Sequence, residues 1–341
     1  MKTLGFAIAG SGMVAGVHAT ALQEIPEANL IGVWSHTPAK TQKFADQYQI
    51  HNYQSYEQLL RNPDIQVVIL CLPSGYHGDY GERAAASGKH VVVEKPIDIT
   101  IAGAKNLIEA CRKNEVKLSV IFQYRFTSAA QKIRQAINQG LLGKLILGDA
   151  YVKWYRSPEY YKSNTWRGTK SIDGGGALMI QAIHTIDLLQ WMMGGIKNVT
   201  GFIKTSIHKI EVEDLGVAAV EYLSGAVGVI EGATAIQPSF KERIEIHGEK
   251  GSIILEGGNI REWKVEGCNE LDYVDEQKII YGSTSSPAIS HVNHKAQLQE
   301  IISAIQENRE PLVNGEEGLK SVQIVLGIYE SSEKKQRVEL R

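Results

Sequence analysis

The stretch that most restricts how this 341-residue chain can fold is "AIAGSGMVAGVHATAL", residues 7–22. An apolar run ends at Gly10, Gly12 follows one residue later, and Ala15 stands where a third small residue is needed. A strand that turns sharply into a helix requires this pattern. Gly10 permits the tight turn, Gly12 lets the backbone approach a pyrophosphate, and Ala15 lets the helix pack closely while its N-terminus faces the anion. Such a motif carries weight only with a strand before it and a helix and strand after it. The following hundred residues supply that setting. The runs "LGFAIAG", "NLIGVWS", "QVVILCLP", "HVVVEKP" and "KLSVIF" alternate with helical patterns such as "AKTQKFADQY" and "TIAGAKNLIEACRKN". Near-continuous apolar strands separated by helices describe a parallel sheet covered on both faces. Residues 1–124 are therefore read as a doubly wound α/β dinucleotide-binding domain of Rossmann type.

The pattern changes after "AAQKIRQAINQGLLGKL". "NVTGFIKTSI", "LGVAAVEYL", "AVGVIEGAT", "RIEIHGEKGSIILEG" and "NIREWKVEG" alternate apolar and polar residues, with turns at Ser224-Gly225, Glu249-Lys250 and Gly257-Gly258. Strands in series joined by short turns imply a large, open, mostly antiparallel sheet with helices on one face. Residues 125–341 are read as an α+β domain for substrate binding and oligomerisation, and two domains suit the length. Strand residues such as Val217, Ala219, Ile230 and Ile246 could serve either face of that sheet.

Charge and cysteine content narrow the function classes. Thirty-six Lys+Arg balance 38 Asp+Glu with no basic stripe, which argues against nucleic acid as a partner. Three widely spaced cysteines suit reduced thiols better than disulfides or zinc. No apolar run approaches the ~20 residues that span a bilayer. The N-terminal glycines fall where a phosphate turn needs them, which reads against a secretory leader. A cytoplasmic protein is expected.

After the second apolar run, NAD-binding domains place a carboxylate for the ribose hydroxyls, whereas a basic residue accommodates the extra phosphate of NADP. Here the chain reads "GVWSHTPAKTQ", with Ser35, His36, Thr37 and Lys40 and no carboxylate. NADP is favoured over NAD, against the plainer reading of a Ser or Thr capping a helix. The fifth run ends in "VVVEKPI", which puts Glu94 and Lys95 at the carboxyl end of a buried parallel strand, where open α/β sheets bind ligands. Pro96 fixes the turn and suits a cis bond before it. A partly desolvated Lys95 would have its pKa pulled down and could exchange a proton with a substrate hydroxyl.

A second candidate lies in "DGGGALMIQAIHTIDLLQWMMGG", residues 173–195. His184 can act as a general base near neutral pH. Asp187, three residues on, could orient the imidazole or receive its charge. No second His or Cys stands at ligand spacing from His184, so no metal is expected. Gly174–Gly176 suit close backbone approach or a hinge.

With "LPSGYH" at 72–77, "SGKHVVVEKP" at 87–96, "FQYRF" at 122–126, "WRGTKSIDGGGALM", "IHTIDLLQWMMG" and the C-terminal "PLVNGEEGLKSVQIVLGIYESS", nearly the whole chain resembles the Gfo/Idh/MocA oxidoreductases. The wording around Trp166-Arg167-Gly168 is most similar to dehydrogenases of sugars, glycosides and nucleotide sugars, some of which oxidise the 3-hydroxyl. The resemblance implies a hydride transfer between a secondary hydroxyl of a sugar and a nicotinamide. It implies cofactor contacts from Gly10, Gly12, Met13, Val14, Ser35, His36, Lys40, Leu72, Pro73, His77, Glu94 and Lys95. Lys95 and His184 would be catalytic, with their two proton roles interchangeable. Tyr124, Arg125, Trp166, Arg167, Gln181, His184 and His294 would contact substrate. A homodimer or homotetramer through the open sheet is also implied. One position departs from the family pattern. Many members carry Asp or Asn four residues before this histidine, and Ile180 stands there. Either the substrate presents a less polar face, or Gln181 compensates, or the chemistry is altered. Two rival readings use the same fold: redox-assisted glycoside cleavage with a retained cofactor, and a non-catalytic dinucleotide-binding regulator.

Overall fold

A computed structural model describes residues 3–268 and 290–340 of the chain. The chain forms two compact units, Met1–Gln123 with Ile289–Leu319, and Tyr124–Ala288 with Lys320–Arg341. Residues 289–319 thus depart from the contiguous 1–124/125–341 division drawn from the sequence.

The first unit holds strands β1 (Leu4–Ala9), β2 (Ala28–Trp34), β3 (His51–Asn52), β4 (Val67–Leu70), β5 (His90–Val93) and β6 (Leu118–Val120). They pair in parallel in the order β3-β2-β1-β4-β5-β6. Strand order reverses between β1 and β4, the topological switch point at which such sheets bind ligands. Helices α1 (Met13–Gln23), α2 (Pro38–Tyr48), α3 (Tyr56–Arg61), α4 (His77–Ala86) and α5 (Ile101–Lys113) connect them. Every residue of β1 and β4 is buried, which accounts for their unbroken apolar runs. The later helix Val292–Gln306 packs on α1, and its Leu298, Ile301 and Ile302 join the core built on Phe6, Ile8, Leu22 and Ile69. Truncating any of these to alanine removes about 2–5 kcal/mol of stability. Gln297 of that helix accepts from the Phe122 N–H at 3.1 Å and donates to the Val120 carbonyl at 2.8 Å, satisfying the end of β6.

The second unit is built on strands β7 (Leu145–Lys153), β8 (Ile196–Lys204), β9 (Leu215–Tyr222), β10 (Val227–Ala233), β11 (Arg243–Gly248), β12 (Gly251–Glu256), β13 (Asn259–Val265) and β14 (Val338–Glu339). Their order is β13-β12-β11-β7-β10-β9-β8-β14, antiparallel except for the β7–β10 pair. That one parallel pair arises because the chain leaves β7 through a helical crossover before it returns. Ile230 and Ile246 point to the buried face, whereas Phe202, Val217 and Val227 are exposed on the other. The buried face is covered by the stretch that carries His184, whose Leu178 side chain lies where a Cβ at Gly216 or Gly232 would sit. No helix among the described residues is long and apolar enough to cross a membrane.

Candidate functional site

The carboxyl ends of β1, β2, β4 and β5 carry the residues expected to hold a dinucleotide. Gly10 has φ +125°, and a Cβ there would lie 2.3 Å from the Cys71 carbonyl oxygen, so only glycine closes this turn. A Cβ at Gly12 would meet nothing within 4 Å, leaving room for a ligand to approach the backbone. α1 starts at Met13 with no side-chain cap and no acid in its first turn, and the positive end of such a helix favours an anion. Ala15 is fully buried, Met13 is exposed and Val14 half-buried. These residues fit a pyrophosphate.

At the end of β2, the Ser35 hydroxyl bonds that of Ser11 at 2.9 Å, tying the second strand to the glycine turn. Thr37 is the N-cap of α2 without a side-chain bond of its own, and the Ser35 hydroxyl accepts from the Thr37 N–H at 3.3 Å, so Ser35 also holds the turn before α2. His36 and Lys40 are exposed, with His36 Nε2 2.9 Å from the Tyr80 hydroxyl and its ring edge-on to Trp34. No carboxylate joins them in this stretch, a donor set compatible with an extra phosphate.

After β4, Leu72 is buried and Pro73 leads into a short turn. His77 is 1% exposed, with Nδ1 2.7 Å from the Pro96 carbonyl and Nε2 2.9 Å from the Leu72 carbonyl. Both ring nitrogens thus face carbonyl oxygens of two site loops, and a neutral imidazole donates to one of them. Burial pushes its imidazole down, against the pull of those carbonyls.

Glu94, at the end of β5, is buried, with Oε1 2.8 Å from His18 Nε2 and 3.9 Å from His294 Nε2. Its Oε2 accepts from the Lys95 N–H at 3.3 Å. Burial pushes this carboxyl up, but the His18 hydrogen bond and the surrounding positive charge outweigh it and hold it at about 2. His294 is pushed down to about 4 by burial, then by His18. His294, a substrate candidate from the sequence, is 2% exposed in the first unit and edge-on to His18. Glu94, His18 and His294 could ligate a metal, since their ligand atoms lie within 4.8 Å of one another, yet the 2.8 Å pair already satisfies His18 Nε2 and Glu94 Oε1. Lys95 is half-buried and its bond to Pro96 is cis, as the sequence suggested.

In the second unit, residues Ala177–Ala182 form a π-helical turn that runs into helix α6, Ile183–Met193. Such turns shift helical register and recur at functional sites. Glu213 secures the start: its carboxylate accepts from the Gly176 and Leu178 N–H groups at 2.9 and 2.8 Å and from the Tyr329 hydroxyl at 2.8 Å. A Cβ at Gly176 would lie 1.8 Å from the Glu213 carbonyl oxygen, which explains a glycine there by packing. The half-buried His184 follows, stacked on the Tyr124 ring with centroids 4.9 Å apart. Asp187, read from the sequence as an orienting group for His184, instead gives both oxygens to the Arg125 guanidinium, at 2.7 Å each. Arg125, also a substrate candidate from the sequence, is 3% exposed, and its fork ties the segment after β6 to α6.

Gln181 accepts from Arg156 at 2.8 Å and donates to the Tyr160 hydroxyl at 2.9 Å. Both ends of its amide are engaged, which leaves little for the compensation of Ile180 that the sequence suggested. Trp166 and Arg167 are half-buried, with the Arg167 guanidinium over the Tyr160 and Trp166 rings. Sequence reasoning did not find Glu213, Tyr329, Arg156 or Tyr160. Their partners are distant in the chain, and no local pattern in the sequence singles them out.

Residues 4–122 match the oxidoreductase family with an NAD-binding Rossmann fold, and residues 130–254 match the GFO/IDH/MocA C-terminal domain. Among solved structures, the WlbA dehydrogenase from Bordetella pertussis, in complex with NADH and UDP-GlcNAcA, superposes with a TM-score of 0.90. The two are 30% identical, over 100% of this chain and 99% of that one. The myo-inositol 2-dehydrogenase of Thermotoga maritima is 24% identical over 98% of this chain and 97% of its own length. The NADP(+)-linked scyllo-inositol 2-dehydrogenase of Bacillus subtilis is 26% identical over 100% and 97%. The chain is an enzyme of the Gfo/Idh/MocA oxidoreductase family.

Proposed function

We propose that this protein is an NAD(P)-dependent dehydrogenase that oxidises a secondary hydroxyl of a pyranose, with a nucleotide sugar as the favoured substrate form. The observation that carries this reading is the end-to-end similarity to a dehydrogenase bound to NADH and a nucleotide sugar, in a chain that keeps Lys95 and His184. A bound nicotinamide supplies the hydride acceptor. His184 takes the hydroxyl proton as a general base, its ring held by Tyr124 and by the Glu213-anchored turn. Lys95, fixed through Glu94 and the turn at Pro96, donates a hydrogen bond to the same oxygen and steadies its developing negative charge. The two proton roles can be exchanged between them without altering the balance: the alcohol loses a hydride and a proton and becomes a ketone. His36 and Lys40 favour NADP, in keeping with the NADP(+)-linked relative. The open sheet face with Phe202, Val217 and Val227 suits a homodimer or homotetramer in the cytoplasm.

The test is incubation of purified protein with sugars, methyl glycosides and nucleotide sugars plus NAD or NADP, following nicotinamide absorbance and sugar mass. Net cofactor reduction with loss of two hydrogens from one sugar is expected. Glycoside cleavage without net reduction would replace this reading with an internal redox cycle, and cofactor binding with no chemistry would replace it with a regulator.

A further inference from the structure

Arg167 is the unexplained charge of the second unit. Its guanidinium carbon lies 4.3 Å from the Tyr160 ring centroid and 4.9 Å from that of Trp166. Its Nε is buried with no hydrogen-bond partner, and no carboxylate pairs with it among the described residues. Glu159 is exposed, and the acids on the segments around Gly168 are hydrogen-bonded to other groups. Asp173 accepts from the Gly168 N–H, Glu211 from the Lys170 N–H, and Asp214 from three backbone amides and His208. A second guanidinium, that of Arg156, lies 5.5 Å from the centroid of the same Tyr160 ring, so two positive charges share one aromatic residue. A guanidinium stays charged at any ordinary pH, and a half-buried one with unmet donors is stabilised by an anion that meets its planar fork. The cluster is tied to the reactive helix: Arg156 and Tyr160 both bond Gln181, three residues before His184.

We infer that Arg167 binds an anionic group of the substrate, a carboxylate or phosphate oxygen, with Arg156 adding to the positive potential. This assignment rests on the dehydrogenase reading above and narrows its substrate to an acidic sugar or a sugar phosphate ester. The sequence singled out Arg167 only as a pocket residue, and packing on two aromatic rings alone would not require an anion.

Binding separates the possibilities without turnover, and so fails independently of the dehydrogenase reading. The full-length, cofactor-loaded protein is titrated calorimetrically with glucose, glucuronate, UDP, UDP-glucose and UDP-glucuronate. The wild type should bind at least one charged probe about 100-fold more tightly than glucose, with affinity falling as salt rises. Arg167→Gln should remove most of that preference, and Arg167→Lys should retain part of it, because a point charge replaces the fork. A carboxylate ligand is identified if UDP-glucuronate exceeds UDP-glucose and Arg167→Gln erases the difference. A diphosphate ligand is identified if UDP and both nucleotide sugars weaken together. Should Arg167→Gln fail to fold, the salt dependence and charge preference of the wild type and of Arg167→Lys still decide. Equal affinity for charged and neutral probes, or an Arg167→Lys protein that matches wild type on every probe at every salt concentration, overturns the assignment.

Discussion

The two units of this chain assemble polar sites by different means. In the first, the residues suited to a dinucleotide sit at the ends of successive parallel strands, and strand order brings them side by side. Little beyond Gly10, Gly12 and the His77 pin is needed. In the second, His184 sits on a helix whose register is set by a π-turn, and that turn is held by Glu213 and Tyr329 from far along the chain. One site follows from topology, the other from long-range polar contacts. Substitutions that spoil local geometry should therefore damage nucleotide binding in the first unit, and hydrogen-bond removal should damage His184 in the second.

The largest expected effects come from paired glycine substitutions. Gly10→Ala and Gly176→Ala each drive a Cβ against a backbone carbonyl oxygen, at 2.3 and 1.8 Å. Each should lower unfolding free energy by roughly 3 kcal/mol or more. Where folded protein is recovered, Gly10→Ala should lose NAD(P)H binding by fluorescence titration and Gly176→Ala should keep it. Equal loss of nucleotide affinity in both would erase the distinction between the units.

A smaller effect is pH-dependent and belongs to the second unit. Glu242 is buried in the wall of a cavity lined by Tyr124, Thr127, Thr185 and Leu188, with one carboxyl oxygen lacking a partner. Burial pushes its carboxyl up to about 7. An acid raised on folding contributes stability at low pH and loses it as pH climbs from the ordinary carboxyl value through 7. Glu242→Gln cannot ionise. It should match wild type near pH 4 and gain up to roughly 3 kcal/mol over it at pH 8 by urea unfolding. Parallel stability curves would show that Glu242 is not held neutral.

The smallest effect sharpens the cofactor side. Lys40→Ala should weaken NADP binding by about five- to tenfold, in keeping with one exposed charge contact, and leave NAD unchanged. An equal change for both cofactors would remove Lys40 from phosphate recognition.

The same contrast explains what the sequence disclosed. The five main parallel strands and the glycine turn follow from local patterns of period and turn residues, and the alternating strands β8 to β13 did so too. The two-residue strands β3 and β14 left no pattern to read. The place of residues 289–319 in the first unit depends on which apolar helix face meets which core, and an amphipathic pattern does not name its partner. Asp187 shows the limit most plainly. Helical spacing set it one turn from His184, while its carboxylate is taken by Arg125, 62 residues earlier in the chain. The approach of His294 to Glu94 in the first unit is likewise long-range and left no local pattern to read.

The proposed chemistry needs His184 beside the substrate hydroxyl and a nucleotide site that forms without it. The direct measurement is His184→Ala, assayed for nicotinamide reduction with the sugar that the substrate screen identifies, beside a titration of NAD(P)H binding. Turnover lower by about 100-fold or more, with nucleotide affinity unchanged, is expected. Turnover equal to wild type would contradict it.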